Sequence, residues 1–497
     1  MTKLKGAIHM VNFKNIQKNR IYKNLFNGQW VESDRDENIE IKSPIDDSTL
    51  GYVQAMTREE ADKAIENAYD AQKYWKQVPI NKRADILHRA ASILEENAEE
   101  IAEVLTMEIA KDKKSSLAEV TRTADYIRFS ADAGKQLEGE TIPGDSFPGI
   151  EKTKISVVTR EPLGVVLAIS PFNYPINLSA SKIAPALISG NSVILKPPTQ
   201  GCISALYLAE VFNKAGLPRG VLNTITGKGR DIGDYVVTHP KIDFINFTGS
   251  TEIGQHISKI TTMKPVLLEL GGKDAAIVLE DADLDEAAKN VANGAYSYSG
   301  QRCTAVKRIL VMEKVADEFS AKLKRLVEEL SVGDPRENKV IGPLINDKSA
   351  DFVMELIEDA EKKGAKLLVG GKREGKLIYP TLFDYVNLDM RIAWEEPFGP
   401  VLPIIRIKSI DEAIEIANES KYGLQSSIFT KDIDKAFYIA NKLEVGTVQI
   451  NNKPERGPDH FPFSGVKSSG MGTQGIKYSI EAISRLKAVV LNLKKEI

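Results

Sequence analysis

The chain has 497 residues, which is too long for one ordinary core and predicts two or three domains. Its 42% apolar and 27% charged residues are typical of a soluble globular protein, and its net charge of -3 gives no electrostatic reason to expect a nucleic acid or an anionic membrane as partner. No stretch of about 20 apolar residues occurs, so we expect no membrane-spanning helix.

The N-terminal segment carries several cations and no acid, but it lacks the apolar region of a secretory signal. We expect residues 1–21 to be a loose leader outside the fold. The chain contains only two cysteines, which suits a reducing compartment, so the expected location is the cytoplasm.

The first clear helix signal begins at Thr57. Glu60 stands three residues later, which makes a capping box, and apolar residues then recur on one helical face. A longer helical region is expected over residues 81–114. The segment 138–160 has Gly, Pro and Asp in its middle and alternating residues at its end, which predicts a hairpin or protruding arm.

The central part of the chain predicts a parallel sheet covered by helices on both faces. Continuous apolar runs alternate with helical segments; the runs are "VVLAIS" (165–170), "NSVILK" (191–196), "VLNTITG" (221–227) and "KIDFINFTGS" (241–250). Such sheets bind ligands at the carboxyl ends of their strands.

A second strand and helix series follows residue 270, which predicts a second α/β domain that begins close to Cys303. The tail "SRLKAVVLNLKK" again has the pattern of a strand. We expect it to pair with the arm at 138–160, across a subunit boundary, because that would cover two exposed strand edges.

Glycine-rich turns mark possible phosphate sites. "GKGRDIG" (227–233), which contains Gly229, misses the dinucleotide spacing by one residue and is weak evidence. "FTGSTEIG" (247–254) lies between a strand and a helix, so the N–H groups around Gly249 and Ser250 could meet a pyrophosphate.

Two polar residues also stand at predicted strand ends. Glu269 precedes two glycines in "LELGGKDAAIVLEDADLD", and Asn173 lies between two prolines in "SPFNYP". Asn173 could satisfy its own loop backbone, or it could be held to donate to a developing oxyanion.

Cys303, in "YSGQRCTAVKR", could be a packed thiol, half of a disulfide, a metal ligand or a nucleophile. A disulfide with Cys202 is improbable in a reducing compartment. None of the five histidines has a paired metal-ligand spacing with another histidine or a cysteine, so no metal site is expected. Composition leaves the choice between a quiet and a reactive thiol open.

Three of these segments and a fourth, "EEPFGPVLPI" (395–404), together resemble the aldehyde dehydrogenase superfamily, in the same order and over residues 22–497; the three are "SPFNYP", "LELGGKDAAIVLEDADLD" and "GQRCTA". The resemblance implies an aldehyde dehydrogenase fold with a Rossmann-type cofactor domain (22–137 and 161–268), an α/β catalytic domain (269–465) and a small β oligomerisation arm (138–160 and 480–497). It also implies a homotetramer.

The resemblance implies that Cys303 is the catalytic thiol. Its attack on an aldehyde would give a thiohemiacetal, hydride would leave to a nicotinamide, and water would hydrolyse the thioester. A free thiol is only a few per cent thiolate at neutral pH, so it needs a base or positively charged surroundings. Glu269 would be the base for the thiol or for the deacylating water, and Asn173 with the N–H of Cys303 would hold the oxyanion.

The cofactor positions carry over in the same way. Lys196 would contact the adenosine ribose, Ser250 with Gly249 the pyrophosphate, and Glu396 the nicotinamide ribose with Phe398 nearby. NAD-preferring members of the superfamily usually have a Glu three residues after this lysine, where this chain has Thr199. Loss of that carboxylate removes its repulsion of a 2′-phosphate, so NADP is the expected cofactor.

Within the superfamily the chain is most similar to the non-phosphorylating, NADP-dependent glyceraldehyde-3-phosphate dehydrogenases. That similarity implies that Arg122, Arg302, Arg456 and Tyr174 hold a substrate phosphate. Three alternatives stay open: a dehydrogenase of another anionic aldehyde such as a semialdehyde, a coenzyme-A-acylating relative, and a non-catalytic structural protein on the same scaffold.

Overall fold

The computed structural model describes residues 11–493 as two α/β units and a projecting three-stranded sheet. Residues 1–10 of the expected leader and 494–497 of the expected arm lie outside the described residues. The helices, in chain order, are Arg58–Trp75, Ile80–Glu96, Ala98–Ile109, Lys113–Lys135, Asn177–Ile188, Cys202–Lys214, Gly229–Thr238, Thr251–Ile260, Leu284–Tyr296, Glu313–Glu328, Asp347–Lys362, Ile410–Glu419, Ile433–Lys442 and Ile476–Ala482.

The first unit is built on a six-stranded sheet whose first five strands are parallel and lie in a doubly wound order. From edge to edge the strands are Leu222–Thr224, Ser192–Lys196, Val165–Ile169, Phe244–Thr248, Val266–Glu269 and the antiparallel Gly470–Met471. The strand order reverses between Val165–Ile169 and Phe244–Thr248. A crevice at the carboxyl ends of these two strands is the usual ligand position in such a sheet.

The second unit contains a seven-stranded sheet, parallel except for its first strand. Its order is Lys366–Val369, Thr381–Asp384, Val401–Ile407, Arg308–Met312, Ala275–Val278, Gln425–Phe429 and Thr447–Ile450. The five strands from Thr381–Asp384 to Gln425–Phe429 are almost fully buried, as expected for parallel strands covered on both faces, although Gln425–Phe429 begins with three polar residues. These two sheets confirm the expected fold class.

The third sheet joins the arm to the tail in the order Ser484–Asn492, Lys154–Pro162, Glu140–Pro143. The tail therefore pairs with the arm of its own chain, from Ser484 opposite Pro162 to Asn492 opposite Lys154. The expectation that this pairing crosses a subunit boundary was wrong, because the arm and the tail of one chain already lie in antiparallel register.

The remaining strands form small sheets. A four-stranded sheet near the N-terminus has the order Gln17–Lys18, Ile21–Tyr22, Thr49–Gln54 and Asn38–Lys42, and the two-stranded pairs are Asn24–Phe26 with Gln29–Val31, Arg373–Glu374 with Leu377–Ile378, Tyr422–Gly423 with Val466–Lys467, and Phe463–Ser464 with Thr473–Gln474.

Residues 11–21 are part of the fold, which corrects the expectation of a loose leader. Phe13 and Ile16 are buried, and the ring of Phe13 stacks on that of Tyr207 with centroids 4.1 Å apart. Apolar contact with the helix Cys202–Lys214 holds this segment.

The helix that begins after Thr57 has the expected capping box, with reciprocal bonds between Thr57 and Glu60. The region expected as one helical stretch over 81–114 is instead two helices and the start of a third. Breaks occur at Asn97 and at Ala110, whose φ of +53° is left-handed. An alanine in that conformation gives no sequence signal, unlike a glycine.

Candidate functional site

The three candidate catalytic residues come from three different places in the fold. Asn173 follows the strand Val165–Ile169, and Glu269 is the last residue of Val266–Glu269, so both lie at the carboxyl edge of the first sheet. Cys303 lies before the strand Arg308–Met312 of the second sheet. The site is therefore formed where the two α/β units meet.

The turn that presents Cys303 is unusual in its backbone. Tyr298 and Ser299 have φ of +53° and +52°, and Gly300 has φ of +71°. A Cβ on Gly300 would lie 2.4 Å from the carbonyl oxygen of Gly399, so only glycine fits. This tight turn leads to Cys303, which lines a cleft between the two units.

Two N–H donors lie beside the thiol. The side-chain amide of Asn173 is buried and donates to the carbonyl of Gln301 at 3.0 Å, two residues before Cys303. In the described range 11–493, no hydrogen bond involves the backbone N–H of Cys303. These groups are the pair from which an oxyanion hole could be made.

Burial raises the pKa of Cys303 to about 12, and the negative charge of Glu269 adds to this rise. Lys307 opposes it: its ammonium donates to the carbonyl oxygen of Cys303 and lies 3.1 Å from Oε1 of Glu396. Both cysteines are free; Cys202 is fully buried, and burial raises its pKa well above the usual value. Cys303 is therefore the thiol with access to a cleft.

The carboxylate of Glu269 is held on both oxygens. Oε2 accepts the hydroxyl of Thr248 at 2.7 Å, and Oε1 accepts Nη1 of Arg456 at 2.8 Å. The ammonium of Lys182, which is also fully buried, donates to the Thr248 hydroxyl at 2.7 Å. Burial lowers the pKa of Lys182 to about 7, although the charge of Glu269 acts in the opposite direction.

The candidate anion-binding residues form one cluster with an exception. Arg122 donates from Nη2 to the carbonyl of Arg456 at 2.7 Å, and it forms a two-point ion pair with Asp459 at 2.8 and 2.9 Å. Tyr174 lies within electrostatic range of Arg122. Arg302 instead donates to the carbonyl of Gly294 at 2.6 Å. The sequence predicted all four around one phosphate; within the described range a hydrogen bond joins Arg122 to Arg456, and Tyr174 lies in electrostatic range of Arg122 without a contact to either arginine.

A cleft of about 530 Å³ opens beside Cys303 at the strand-order reversal. Seven of the sequence-predicted site residues line it, from both units; they are Asn173, Thr199, Gly249, Ser250, Cys303, Glu396 and Phe398. Ser250 caps the helix Thr251–Ile260, which directs the N–H groups of the first turn toward the cleft. This shape and polarity fit a dinucleotide.

Two more predicted cofactor residues lie outside the lining of this cleft. Lys196 is buried, and its ammonium donates to the carbonyl of Gly227 at 3.3 Å. Gly229 is the first residue of the helix Gly229–Thr238 and is exposed, with open space around its Cα. Both residues lie at the carboxyl edge of the first sheet.

Two glycines leave room for the carboxylate of Glu396. It accepts the N–H of Gly272 at 3.1 Å, and a Cβ on Gly271 would lie 2.0 Å from its Oε2. The sequence "GG" after Glu269 thus leaves room for a side chain that arrives from residue 396.

Comparisons with known proteins agree with this geometry. The model of the aldehyde dehydrogenase family matches residues 30–489. The chain belongs to the aldehyde dehydrogenase family. It is 58% identical over 474 residues to an NADP-dependent glyceraldehyde-3-phosphate dehydrogenase of Streptococcus equinus, covering 95% of this chain and 99% of that protein. The protein of the same name from Pisum sativum is 51% identical, with 95% and 96% covered.

Solved structures of the family superpose closely on this aldehyde dehydrogenase. The crystal structure of NADP-dependent glyceraldehyde-3-phosphate dehydrogenase from Bacillus halodurans C-125 complexed with NADP is 55% identical and has a TM-score of 0.94, with 95% of this chain and 99% of that chain covered. An aldehyde dehydrogenase from Brucella melitensis biovar abortus 2308 is 34% identical, covers 98% of this chain and all of its own, and has a TM-score of 0.93.

Sequence reasoning missed several residues of this aldehyde dehydrogenase site. Lys182 is the one charge in the wholly buried helix Asn177–Ile188, which was a usable signal. No sequence signal indicated Thr248, Lys307 or Asp459, because their contacts join segments that are distant in sequence.

The described part of the chain also bears on two other kinds of site. Among residues 11–493, no group of three or more histidine, cysteine, aspartate or glutamate side chains could hold a metal ion. None of the helices in that range has the length and apolar character needed to cross a bilayer.

Proposed function

We propose that this chain oxidises D-glyceraldehyde 3-phosphate to 3-phosphoglycerate with NADP, irreversibly and without orthophosphate. The observation that carries the proposal is the position of Arg122, Tyr174 and Arg456 next to the centre formed by Cys303 and Glu269. Guanidinium groups suit a phosphate, and each charged hydrogen bond contributes about 1.5–3 kcal/mol. The names of the relatives from Streptococcus equinus and Pisum sativum support the same substrate and cofactor.

The chemistry at Cys303 begins with its thiolate, which attacks the aldehyde carbon. The amide of Asn173 and the N–H of Cys303 stabilise the negative charge that develops on the aldehyde oxygen. NADP, held by the residues of the cleft, would supply a hydride acceptor, and loss of hydride from the carbon attached to sulfur would leave a thioester. The carboxylate of Glu269 then takes a proton from water, which attacks the thioester and releases the acid and the thiol.

The residues of the cleft fit NADP. Gly249 and Ser250 stand at the N-terminus of a helix, where a pyrophosphate is favoured, and Glu396 with Phe398 lines the same cleft, where they would meet the nicotinamide ribose. Thr199 is exposed at the lining with no carboxylate to repel a 2′-phosphate, and Lys196, the buried last residue of the preceding strand, would supply a cation. A measured kcat/KM that favours NAD tenfold or more would contradict this preference.

The deciding experiment for the reaction is a spectrophotometric assay at 340 nm with glyceraldehyde 3-phosphate and NADP. We expect equal rates with and without orthophosphate, and 3-phosphoglycerate as the product. Succinate semialdehyde, which carries a carboxylate instead of a phosphate, serves as the comparison substrate. A higher kcat/KM for the semialdehyde, or a requirement for orthophosphate or coenzyme A, would reject the proposal.

The role of Arg456 has its own test in the variant Arg456→Leu. Loss of one guanidinium contact should raise KM for glyceraldehyde 3-phosphate at least about tenfold, because a charged hydrogen bond to the phosphate is lost. The KM for unphosphorylated glyceraldehyde should change much less. Since Arg456 also contacts Glu269, a fall in kcat is expected for both substrates. Equal changes in both KM values would argue against a phosphate contact.

The larger organisation is proposed on the same basis. Residues 22–137 and 161–268 would bind the cofactor, residues 269–465 would carry the thiol, and the arm with the tail would join subunits of a homotetramer. Exposed apolar side chains on the strand Ser484–Asn492 and the half-buried edge strand Thr447–Ile450 support an assembly of copies. The two free cysteines support a cytoplasmic location.

A further inference from the structure

A buried ion pair lies directly behind the active-site loop. Lys111 follows the helix Ala98–Ile109, and Glu119 lies within the helix Lys113–Lys135. Their side chains bond to each other, and each is only 1% exposed. Removing two charges from water costs several kcal/mol each, so a buried pair is weak evidence for stability and its other contacts are informative.

The other contacts of the Lys111 ammonium reach the loop that carries Asn173 and the turn before Cys303. The ammonium donates to the carbonyl oxygen of Asn173 at 2.6 Å. It also lies 3.6 Å from the centre of the Tyr174 ring and 4.7 Å from that of Tyr298. Tyr298 belongs to the left-handed turn before Cys303. One cation thus contacts the backbone of the oxyanion donor and both flanking rings.

Glu119 holds the other end of the same loop. Its Oε1 accepts the backbone N–H groups of Ile176 and Asn177, each at 3.1 Å. Ile176 is the N-cap residue of the helix Asn177–Ile188 and has no capping side chain of its own. Glu119 therefore caps this helix from a neighbouring helix, and its charge also suits the helix N-terminus.

We propose that Lys111 and Glu119 are positioning residues, which together fix the segment 173–177 so that the Asn173 amide is aimed at the reacting oxygen and Tyr174 at the substrate. The pair forms hydrogen bonds to this five-residue segment at its first residue, Asn173, and at its last two, Ile176 and Asn177. Pro171 and Pro175 stand on either side of residues 172–174, and this part of the loop pairs with no strand. The ion pair is therefore what fixes the position of the loop. This inference rests on the proposed function, because it assigns the two residues to the same reaction.

The test uses the double variant Lys111→Met with Glu119→Gln. The glutamine keeps an oxygen for the N–H groups of Ile176 and Asn177, and the methionine fills the space without a charge, so no single charge is left buried. We expect kcat to fall about 10- to 100-fold, somewhat less than the roughly 10²–10³-fold loss for an absent oxyanion donor. The KM for NADP should stay within about twofold, because the pair contacts no cofactor residue.

A double-mutant cycle with Asn173→Ala separates positioning from general stability. If the pair acts through Asn173, then adding K111M/E119Q to N173A should lower kcat by less than about threefold further. The matched control is Arg406→Met with Asp384→Asn, which removes another largely covered ion pair, 2.8 Å long, from the second sheet. That control should lose thermal stability to a similar degree and keep kcat.

Three results would overturn the inference: kcat of K111M/E119Q within about twofold of the parent chain, a full repeat of the loss on the N173A background, or an equal kcat loss in R406M/D384N. If the double variant does not fold, Glu119→Asp takes its place. It retains the charge but withdraws the carboxylate, so we expect a smaller loss that again disappears on the N173A background; unchanged kcat would overturn the inference.

Hydrolysis of 4-nitrophenyl acetate distinguishes this inference from the proposed function. That reaction needs the Cys303 thiol and the oxyanion donors, but neither NADP nor a phosphate. If the parent chain does not oxidise glyceraldehyde 3-phosphate, the proposed function fails. The same variants and the same double-mutant cycle can then be measured with the ester as substrate. A kcat loss for the ester in K111M/E119Q supports the inference, and an unchanged ester rate overturns it.

Discussion

At Cys303 the neighbouring carboxylate works against formation of the thiolate. Burial and the charge of Glu269 together raise the pKa of Cys303 to about 12, against the opposing effect of Lys307. Glu269 is also bonded to Thr248 and Arg456 on its two oxygens. Of the two roles that sequence reasoning left open for this base, the geometry therefore favours activation of the deacylating water.

The variant Glu269→Gln tests this preference. Removal of the charge should leave acylation intact, so rapid mixing with glyceraldehyde 3-phosphate should show a burst of about one NADPH per site followed by turnover at least about 100-fold slower. Iodoacetamide should alkylate Cys303 at pH 8 no more slowly than in the parent chain, because the carboxylate that raises the thiol pKa is gone. A missing burst together with slower alkylation would show that Glu269 activates the thiol instead.

Lys182 predicts a dependence of stability on pH. Burial lowers its pKa to about 7 in the folded chain, whereas an unfolded lysine has a pKa of about 10.4. Between these values the unfolded state binds more protons, so the free energy of unfolding rises with pH. From pH 7 to pH 9 this contribution is on the order of 2 kcal/mol.

The measurement compares urea unfolding of the parent chain with that of Lys182→Met at both pH values. The rise from pH 7 to pH 9 should be smaller in the variant by that amount, since other groups titrate equally in both chains. An identical rise would mean that Lys182 is charged in the folded protein up to pH 9.

At the scale of elements, strands were easier to predict than helix boundaries. The runs at 165–170 and 191–196 are unbroken because both faces of each strand are covered, and such runs have one simple explanation. The edge strand Lys366–Val369 is partly exposed and carries only three consecutive apolar residues, so it has a weaker strand signal. Helix ends at Asn97 and Ala110 depend on local backbone geometry that the residue types do not announce.

The candidate site was predictable only in part for a similar reason. Asn173, Glu269 and Cys303 stand at strand ends or turns with marked local sequence, and their motifs resemble a known family. The pairing of Arg456 with Glu269 joins residues 187 positions apart, and that of Arg122 with Asp459 joins residues 337 apart. Contacts of this kind arise from packing of whole units, so no spacing in the sequence indicates them.

The loop after the strand Ser192–Lys196 carries the prediction on cofactor choice. In Thr199→Glu, a carboxylate would repel a 2′-phosphate and could accept a bond from a ribose 2′-hydroxyl. We expect the ratio of kcat/KM for NADP over NAD to fall at least about tenfold, since one close charge contact is worth more than 1.4 kcal/mol. Thr199→Gln, similar in size but uncharged, should shift the ratio much less. Equal shifts in the two variants would remove the electrostatic explanation.

At the scale of the whole molecule, the projecting sheet is apolar where a single chain leaves it uncovered. Leu486 is 62% and Val490 52% exposed on one face of the strand Ser484–Asn492, and Val489 is 50% exposed on the other. A three-stranded sheet with both faces open to water is marginal by itself. Contact with other copies would bury these side chains, in agreement with the proposed homotetramer.

Leu486→Lys combined with Val490→Lys should therefore dissociate the assembly. Lysines at these positions would place charges in an apolar interface, where an unpaired charge costs several kcal/mol, so the species in solution should become smaller. Analytical ultracentrifugation at micromolar concentration should give a mass of four 54.8 kDa chains for the parent and a smaller multiple for the variant. Arg485→Lys, on the same exposed strand, keeps its charge and should leave the mass unchanged. Because the arm and tail pair within one chain, the variant should keep its folded sheet. A smaller mass with an unchanged circular dichroism spectrum would therefore locate the interface on the projecting sheet. An unchanged mass would mean that the subunits meet through another surface.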